Sequence, residues 1–254
     1  MTTAVVTGSA SGIGAAVTAC FVDRGVRVVG IDRADADVVA DLSTVEGREA
    51  AVSGALDRTG GVVDRVVACA GVGPHVQPHA LIASVNYFGA VEVLDGLLGA
   101  LGAADDACAL AICSNSAGIT PVPEPKLVDA FLDGDEATAR SLADDLDGAV
   151  VYGNSKLALS RAVRRRVEDW GKAGVRIVGI APGPVETPML AGTLDHPDYG
   201  PATEGLPIPI GRRGRPEEIA GIIEWLTGPD AALVHGSIVV ADGGSDALLR
   251  PDDV

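Results

Sequence analysis

Short apolar runs alternate with longer helical stretches along the whole 254-residue chain, and this alternation limits the fold more than any other feature. The strand-like runs cover residues 4–7, 26–32, 62–69, 107–114, 175–181 and 237–241. Most are continuously apolar, the pattern of strands covered on both faces. Helical patterns fit residues 12–24, 47–58, 82–101, 152–173 and 216–226. Parallel strands joined by helices repeat into one doubly wound α/β sheet with helices on both faces. The length suits a single domain over 1–254. In such a sheet ligands gather at the carboxyl ends of the strands.

Two stretches break the rhythm. Residues 120–150 form an acidic insertion that opens with Pro121, Pro123 and Pro125 and turns helical over 135–146. Residues 188–214 are rich in proline and glycine with little regular pattern, and read as a substrate loop. Its apolar residues Met189, Leu190, Leu194, Leu206, Ile208 and Ile210 suit either an apolar ligand or packing within a closed loop. The insertion is expected to shape the substrate entrance or to alter an oligomer interface.

A net charge of −16 makes nucleic acid and anionic membrane surfaces poor partners. No uninterrupted apolar run reaches the ~18 residues that span a bilayer, and no signal-type segment opens the chain. A cytoplasmic protein is expected. Cys20, Cys69, Cys108 and Cys113 match no zinc or redox spacing and read as small buried hydrophobes. The histidines His75, His79, His196 and His235 are scattered, so no metal site is assigned.

The first strand runs directly into Thr7-Gly8-Ser9-Ala10-Ser11-Gly12-Ile13-Gly14. Glycines at a strand-to-helix junction permit a tight turn, and the helix N-terminus offers unpaired N–H groups to a pyrophosphate. Asp32 ends the second strand, 18 residues beyond Gly14, where a carboxylate can bond an adenosine ribose hydroxyl. It would repel a 2′-phosphate, which favours NAD over NADP. The adjacent Arg33 is able to bind that phosphate and argues the other way.

Tyr152 and Lys156 are four residues apart and lie on one helix face. A free tyrosine, with pKa ~10, is a weak base at neutral pH. A neighbouring ammonium stabilises its phenolate. A hydroxyl from a strand end can polarise a carbonyl. Ser114 and Ser116 are both candidates, and Ser114 is preferred because it directly follows the apolar run.

The TGxxxGxG spacing of Thr7 to Gly14 together with Tyr152, Lys156 and Ser114 resembles the short-chain dehydrogenase/reductase family. The resemblance implies a Rossmann-type fold, a nicotinamide cofactor, a small-molecule alcohol or ketone substrate, and a homo-oligomer, dimer or tetramer. It implies that Gly8, Ser11, Gly12, Ile13 and Gly14 cradle the cofactor. It also implies that Asp41-Leu42 meets the adenine and that Ala70-Gly71 closes a turn beside it. That turn, Ala68-Cys69-Ala70-Gly71, lacks the two asparagines usual in the family. Pro182-Gly183-Pro184-Val185-Glu186-Thr187 resembles the nicotinamide-side motif, in which Pro182, Gly183, Val185 and Thr187 contact the cofactor. Asp242-Gly243-Gly244 resembles the terminal-strand motif. Ser114, Tyr152 and Lys156 then take the catalytic roles, with Asn86 supporting a proton relay.

Residues 40–44 and 46–48, 84–90, 234–236 and 242–251, with the long interval between Ser114 and Tyr152, resemble the bacterial 3α-hydroxysteroid dehydrogenase/carbonyl reductase subgroup. Reversible NAD(H)-linked oxidation of a secondary alcohol is the expected activity, on a 3-hydroxysteroid or another bulky apolar carbonyl compound. Two alternatives remain: an NADPH-dependent 3-ketoacyl reductase, and a non-catalytic dinucleotide sensor.

Overall fold

Thr3–Thr7 (β1), Arg27–Asp32 (β2), Val38–Val39 (β3), Arg65–Ala68 (β4), Ala107–Ile112 (β5), Val175–Pro182 (β6) and Ile238–Ala241 (β7) form one sheet in the computed structural model, which describes residues 1–119 and 123–253. All pairings are parallel, in the order β3-β2-β1-β4-β5-β6-β7. Val5 of β1 stands opposite Val29 of β2 and Val66 of β4. Every residue of β1 and β5 is buried, because helices cover both faces. Successive side chains point to opposite faces. Val5 thus joins the core under helices Val45–Thr59 and Gly148–Arg165, whereas Ala4 and Val6 join the core under Gly12–Asp23 and Pro216–Thr227.

The chain leaves β1 on one side for β2 and returns on the other for β4. This reversal opens a crevice at the carboxyl ends of β1 and β4, where doubly wound sheets hold ligands. The Thr7 hydroxyl spans it, accepting the N–H groups of Cys69 and Ala70, each at 3.0 Å.

Several elements differ from the sequence expectation. The two-residue β3 is too short to leave a pattern. The helix that carries Tyr152 starts four residues earlier, at Gly148, because the Asp147 carboxylate accepts the Ala149 N–H at 2.9 Å and caps it. A second helix, Val167–Lys172, follows a break at Arg166. The insertion carries two helices, Pro125–Leu132 and Glu136–Asp144, of which only the second is expected. Pro121 lies outside the described residues. The 188–214 loop is partly ordered into Pro188–Leu194 and Gly200–Glu204. Thr187 caps the first of these, and Pro188 supplies a fixed φ at its first position.

The continuous helical stretch Ala80–Leu101 is 22 residues long and apolar enough overall to cross a membrane by length and composition. In the fold 61% of its most apolar window is buried, so it is placed as a core helix. A π-helical segment, Ser84–Phe88, lies within it. Tyr87 and Phe88 pack there on Phe131 of the insertion, with ring centroids 4.9 and 5.8 Å apart. Of the two tryptophans, Trp170 is buried at 2% exposure and Trp225 is 46% exposed. Leu233, Val240, Leu248 and Leu249 are exposed on the elements around the β7 edge.

Candidate active site

At the end of β1 the chain turns through Gly8, whose φ of 68° falls in the left-handed region. A Cβ there would lie 2.9 Å from Ala70 Cα. The turn closes so tightly that a Cβ on Gly14 would sit 2.0 Å from the Gly8 carbonyl oxygen. Ser11 has extended backbone at the helix N-cap, and its hydroxyl makes no capping bond. The first-turn N–H groups have no partner within the helix and open toward the crevice.

Asp32 stands at the tip of β2. Its carboxylate accepts the Ala10 N–H at 3.0 Å and the Arg33 N–H at 2.7 Å. These bonds tie the second strand to the glycine turn. Farther along, Asp41 accepts the Ser43 N–H at 2.9 Å. Hydrogen bonds from Ser43 hold the Asp41 carboxyl below the ordinary range; partial burial opposes them and the Arg33 charge assists them.

One cleft of about 810 Å³ gathers nearly all the residues singled out from sequence. Its walls include Gly8, Ser11, Gly12, Ile13, Gly14, Asp32, Arg33, Asp41, Leu42, Ala70 and Gly71 at one end. Ser114, Ser116, Tyr152, Lys156, Pro182, Gly183, Val185 and Thr187 line the rest. Asn86 is the exception. It is fully buried behind the wall, accepting the Val72 N–H at 2.8 Å and donating to the Val72 carbonyl at 3.0 Å. Its side chain is therefore committed to holding Val72, which does line the cleft.

Ser114 stands on the hydroxyl side of Tyr152 and favours the ionised phenol. Ser114 Oγ lies 2.9 Å from Ser116 Oγ and also accepts the Ser116 N–H at 3.2 Å. The preferred serine is thus the one beside the tyrosine, and the competing serine supports it. Lys156 is buried, donates to the Ile112 carbonyl at 2.8 Å, and stands 5.9 Å from the centre of the Tyr152 ring. The resting electrostatics differ from the expectation. Burial raises the Tyr152 phenol above its ordinary value, and Ser114 only partly opposes it. Burial also lowers the Lys156 ammonium.

β6 ends at Pro182, and the chain passes Gly183 so close to β7 that a Cβ would lie 2.7 Å from Asp242 Cβ. Asp242 fixes this corner. Its carboxylate accepts bonds from the Asn115 side chain and from the N–H groups of Gly244 and Asp246. Val185 pairs with Gly214 across the base of the 188–214 loop. Thr187 caps the loop's first helix and lies beside Gly12 of the cradle.

The loop is tied down at two further points. Thr193 Oγ1 lies 3.1 Å from His75 Nδ1. The Tyr199 hydroxyl donates to Asp147 at 3.0 Å and accepts the Gly148 N–H at 3.2 Å. Met189, Leu190 and Leu206 line the cleft, as an apolar ligand would require. Ile208 and Ile210 instead pack near Gly243, beside a separate groove, and Leu194 lines neither.

Among the described residues of the insertion only Ala149 lines this cavity, next to Ile119 just before it; helices Pro125–Leu132 and Glu136–Asp144 do not. His75, Ala149 and Thr193 were not anticipated from sequence. In the sequence His75 reads as one of four scattered histidines, shortly after the Ala70-Gly71 turn. Among the described residues no three His, Cys, Asp or Glu side chains are grouped to hold a metal.

A family model described as enoyl-(acyl carrier protein) reductase matches residues 139–246. The 3-alpha-hydroxysteroid dehydrogenase/carbonyl reductase of Comamonas testosteroni is 42% identical over 254 residues, covering 99% of each chain. The cis-4-hydroxycyclohexanecarboxylate dehydrogenase of Sinomonas cyclohexanicum is 30% identical, with 96% of each covered. The crystal structure of the 3-alpha-hydroxysteroid dehydrogenase from Pseudomonas sp. B-0831, complexed with NADH, superposes over 100% of both chains with a TM-score of 0.98 at 44% identity. A glycine cradle, a Ser-Tyr-Lys cluster in one cleft and near-complete alignment to these dehydrogenases agree: the chain belongs to the short-chain dehydrogenase/reductase family.

Proposed function

We propose that this protein is an NAD(H)-dependent oxidoreductase that interconverts a secondary alcohol and a ketone, with 3-hydroxysteroids or similarly bulky apolar carbonyl compounds as substrates. The observation that carries the reading is that Ser114, Tyr152 and Lys156 line the same cleft as the Gly8–Gly14 cradle and the apolar residues Met189, Leu190 and Leu206. The dinucleotide fits the cradle because a Cβ on Gly8 or Gly14 would fill the turn. When bound, the nicotinamide supplies or accepts the hydride. Gly8, Ser11, Gly12, Ile13 and Gly14 hold the pyrophosphate, and Asp32, Arg33, Asp41 and Leu42 surround the adenosine half. Ala70 and Gly71 close the turn beside the cofactor, and Pro182, Gly183, Val185 and Thr187 hold the nicotinamide end.

In oxidation the Tyr152 phenolate takes the hydroxyl proton of the alcohol, and in reduction the phenol returns it to the carbonyl oxygen. Ser114 holds that oxygen. Lys156 keeps a positive charge near the phenolate, which burial alone would disfavour. Asn86 acts on the site from behind, through Val72.

Purified protein is to be followed at the reduced-nicotinamide absorbance band with NAD or NADP and a panel of 3-hydroxysteroids beside simple secondary alcohols. Steroid-dependent reduction of NAD is expected. Activity confined to other alcohols would overturn the substrate class and keep the chemistry.

The cofactor preference is assigned to Asp32. Like charges placed against each other cost several kcal/mol, so Asp32→Ser should improve kcat/KM for NADP by about a hundredfold, with Arg33 left to meet the phosphate. An unchanged NADP/NAD ratio would remove Asp32 as the selector.

We further propose that the protein is a homo-oligomer that covers Trp225, Leu233, Val240, Leu248 and Leu249, which lie exposed around an open sheet edge. Leu233, at 98% exposure, contributes nothing to the subunit core. Leu233→Asp should therefore shift sedimentation toward the monomer and leave subunit melting unchanged. An unaltered sedimentation profile would place the interface elsewhere.

A further inference from the structure

The inserted hairpin lines no part of the cleft, yet a chain of polar contacts connects it to the wall at the adenosine end. Arg48, on helix Val45–Thr59, is buried at 1% exposure. Its guanidinium forks onto Glu136 of the insertion, at 2.5 and 3.3 Å, and donates through Nε to Glu92 at 2.7 Å. The nitrogen that reaches Glu136 at 3.3 Å also donates to the Leu42 carbonyl at 3.3 Å. Leu42 lines the cleft. The Glu136 carboxylate accepts a further bond, at 2.7 Å, from Ser84, the first residue of the π-helical segment that carries Asn86. Arg140, one turn along the same inserted helix, donates to Ser84.

Local structure between Asp41 and Arg48 is closely built. The Thr44 hydroxyl accepts the Gly47 N–H at 3.0 Å and reaches back to the Asp41 carbonyl at 3.3 Å. A Cβ on Gly47 would lie 1.9 Å from that same carbonyl oxygen. The segment therefore moves as one piece, and Arg48 is where it is moored. A buried guanidinium is tolerated only while carboxylates compensate its lost hydration. Glu92 is half-exposed, with 43% of its side chain accessible, whereas Glu136 is more enclosed at 21% and engages two guanidinium nitrogens.

We propose that Glu136, supplied by the inserted hairpin, is a positioning residue for cofactor binding: through Arg48 it holds Leu42 and the 41–48 segment as the adenosine-side wall. The inference rests on the reading that the cleft holds NAD(H). It gives the insertion a task inside its own subunit, separate from any oligomer interface. It also accounts for inserted helices that reach the cofactor end without lining the cleft.

The test is fluorescence titration of the full-length protein and of Glu136→Gln with NADH, with ADP-ribose (the adenosine half), and with reduced nicotinamide mononucleotide (the other half). Losing one arm of a charge-assisted fork should weaken NADH and ADP-ribose binding about tenfold and leave the mononucleotide much less affected. A general loss of structure would weaken both halves alike, and that result, or an unchanged ADP-ribose affinity, would overturn the proposal. If Glu136→Gln does not fold, Glu92→Gln loosens the other mooring. The ratio of ADP-ribose to mononucleotide affinity should then fall about threefold, and a constant ratio would overturn the proposal just as well. A wild-type protein that binds no NADH would defeat the cofactor reading itself, a result distinct from any difference between variant and wild type.

Discussion

Tyr152→Phe should lower turnover by roughly a thousandfold or more, the scale on which a positioned general acid–base contributes, while NADH affinity stays within about twofold, since the ring and its packing remain. Only the hydroxyl beside Ser114 is lost. Steady-state rates paired with a binding titration check this. Full activity in the variant would eliminate Tyr152 as the proton carrier. Loss of both activity and binding would mean that the hydroxyl serves the structure. The pH dependence has a definite sign. Oxidation needs the phenolate, and burial raises the phenol above its ordinary value. Alcohol oxidation should therefore climb with pH through the neutral and alkaline range, and ketone reduction, which needs the phenol, should not.

The second large effect is expected at Gly14. A methyl group there would meet the Gly8 carbonyl oxygen at 2.0 Å, an atom that cannot turn aside as a flexible side chain would. Gly14→Ala must displace either the helix start or the β1 turn. Overpacking of this kind costs about 1–3 kcal/mol or more. The displaced N–H groups are those proposed to hold the pyrophosphate. A fall in NADH affinity of about a hundredfold is expected, with a lower melting temperature. Gly99→Ala is the matched control, in the helix Gly89–Leu101, exposed and with no atom within 4 Å of the new methyl. It should raise stability by about 0.5–1 kcal/mol through helix propensity. Equal behaviour of the two variants would show that the Gly8–Gly14 contact is not what constrains the turn.

The strands were legible because burial on both faces leaves a continuous apolar run, and β1 and β5 are buried at every residue. The cradle was legible because only glycine fits where the chain nearly touches itself. What escaped was set by contacts between residues far apart in sequence. β3 is two residues long and exists by pairing with β2. The helix that carries Tyr152 begins at the Asp147 cap, ahead of the stretch whose periodicity reads as helical. Helix Pro125–Leu132 follows a proline-rich opening that reads as a breaker, although Pro125 occupies a first-turn position where proline is tolerated. In the site, the residues of Tyr152-to-Lys156 spacing were evident. The lysine's attachment to the Ile112 carbonyl was not, because no spacing rule links residues 44 positions apart. The burial of Arg48 is compensated by Glu92 and Glu136, 44 and 88 positions away, a pairing that no local pattern announces.

The scarcity of aromatic residues has a practical optical consequence. With two tryptophans in the whole chain, intrinsic emission resolves into two identified sources. Trp170, sealed at 2% exposure in the core, is a reporter whose spectrum shifts when the subunit unfolds. Trp225, 46% exposed near the β7 edge, is open to aqueous quenchers as long as no other subunit covers it. A single unlabelled sample, diluted through the association range and then denatured, would separate the loss of assembly from the loss of the fold by wavelength and quenching alone.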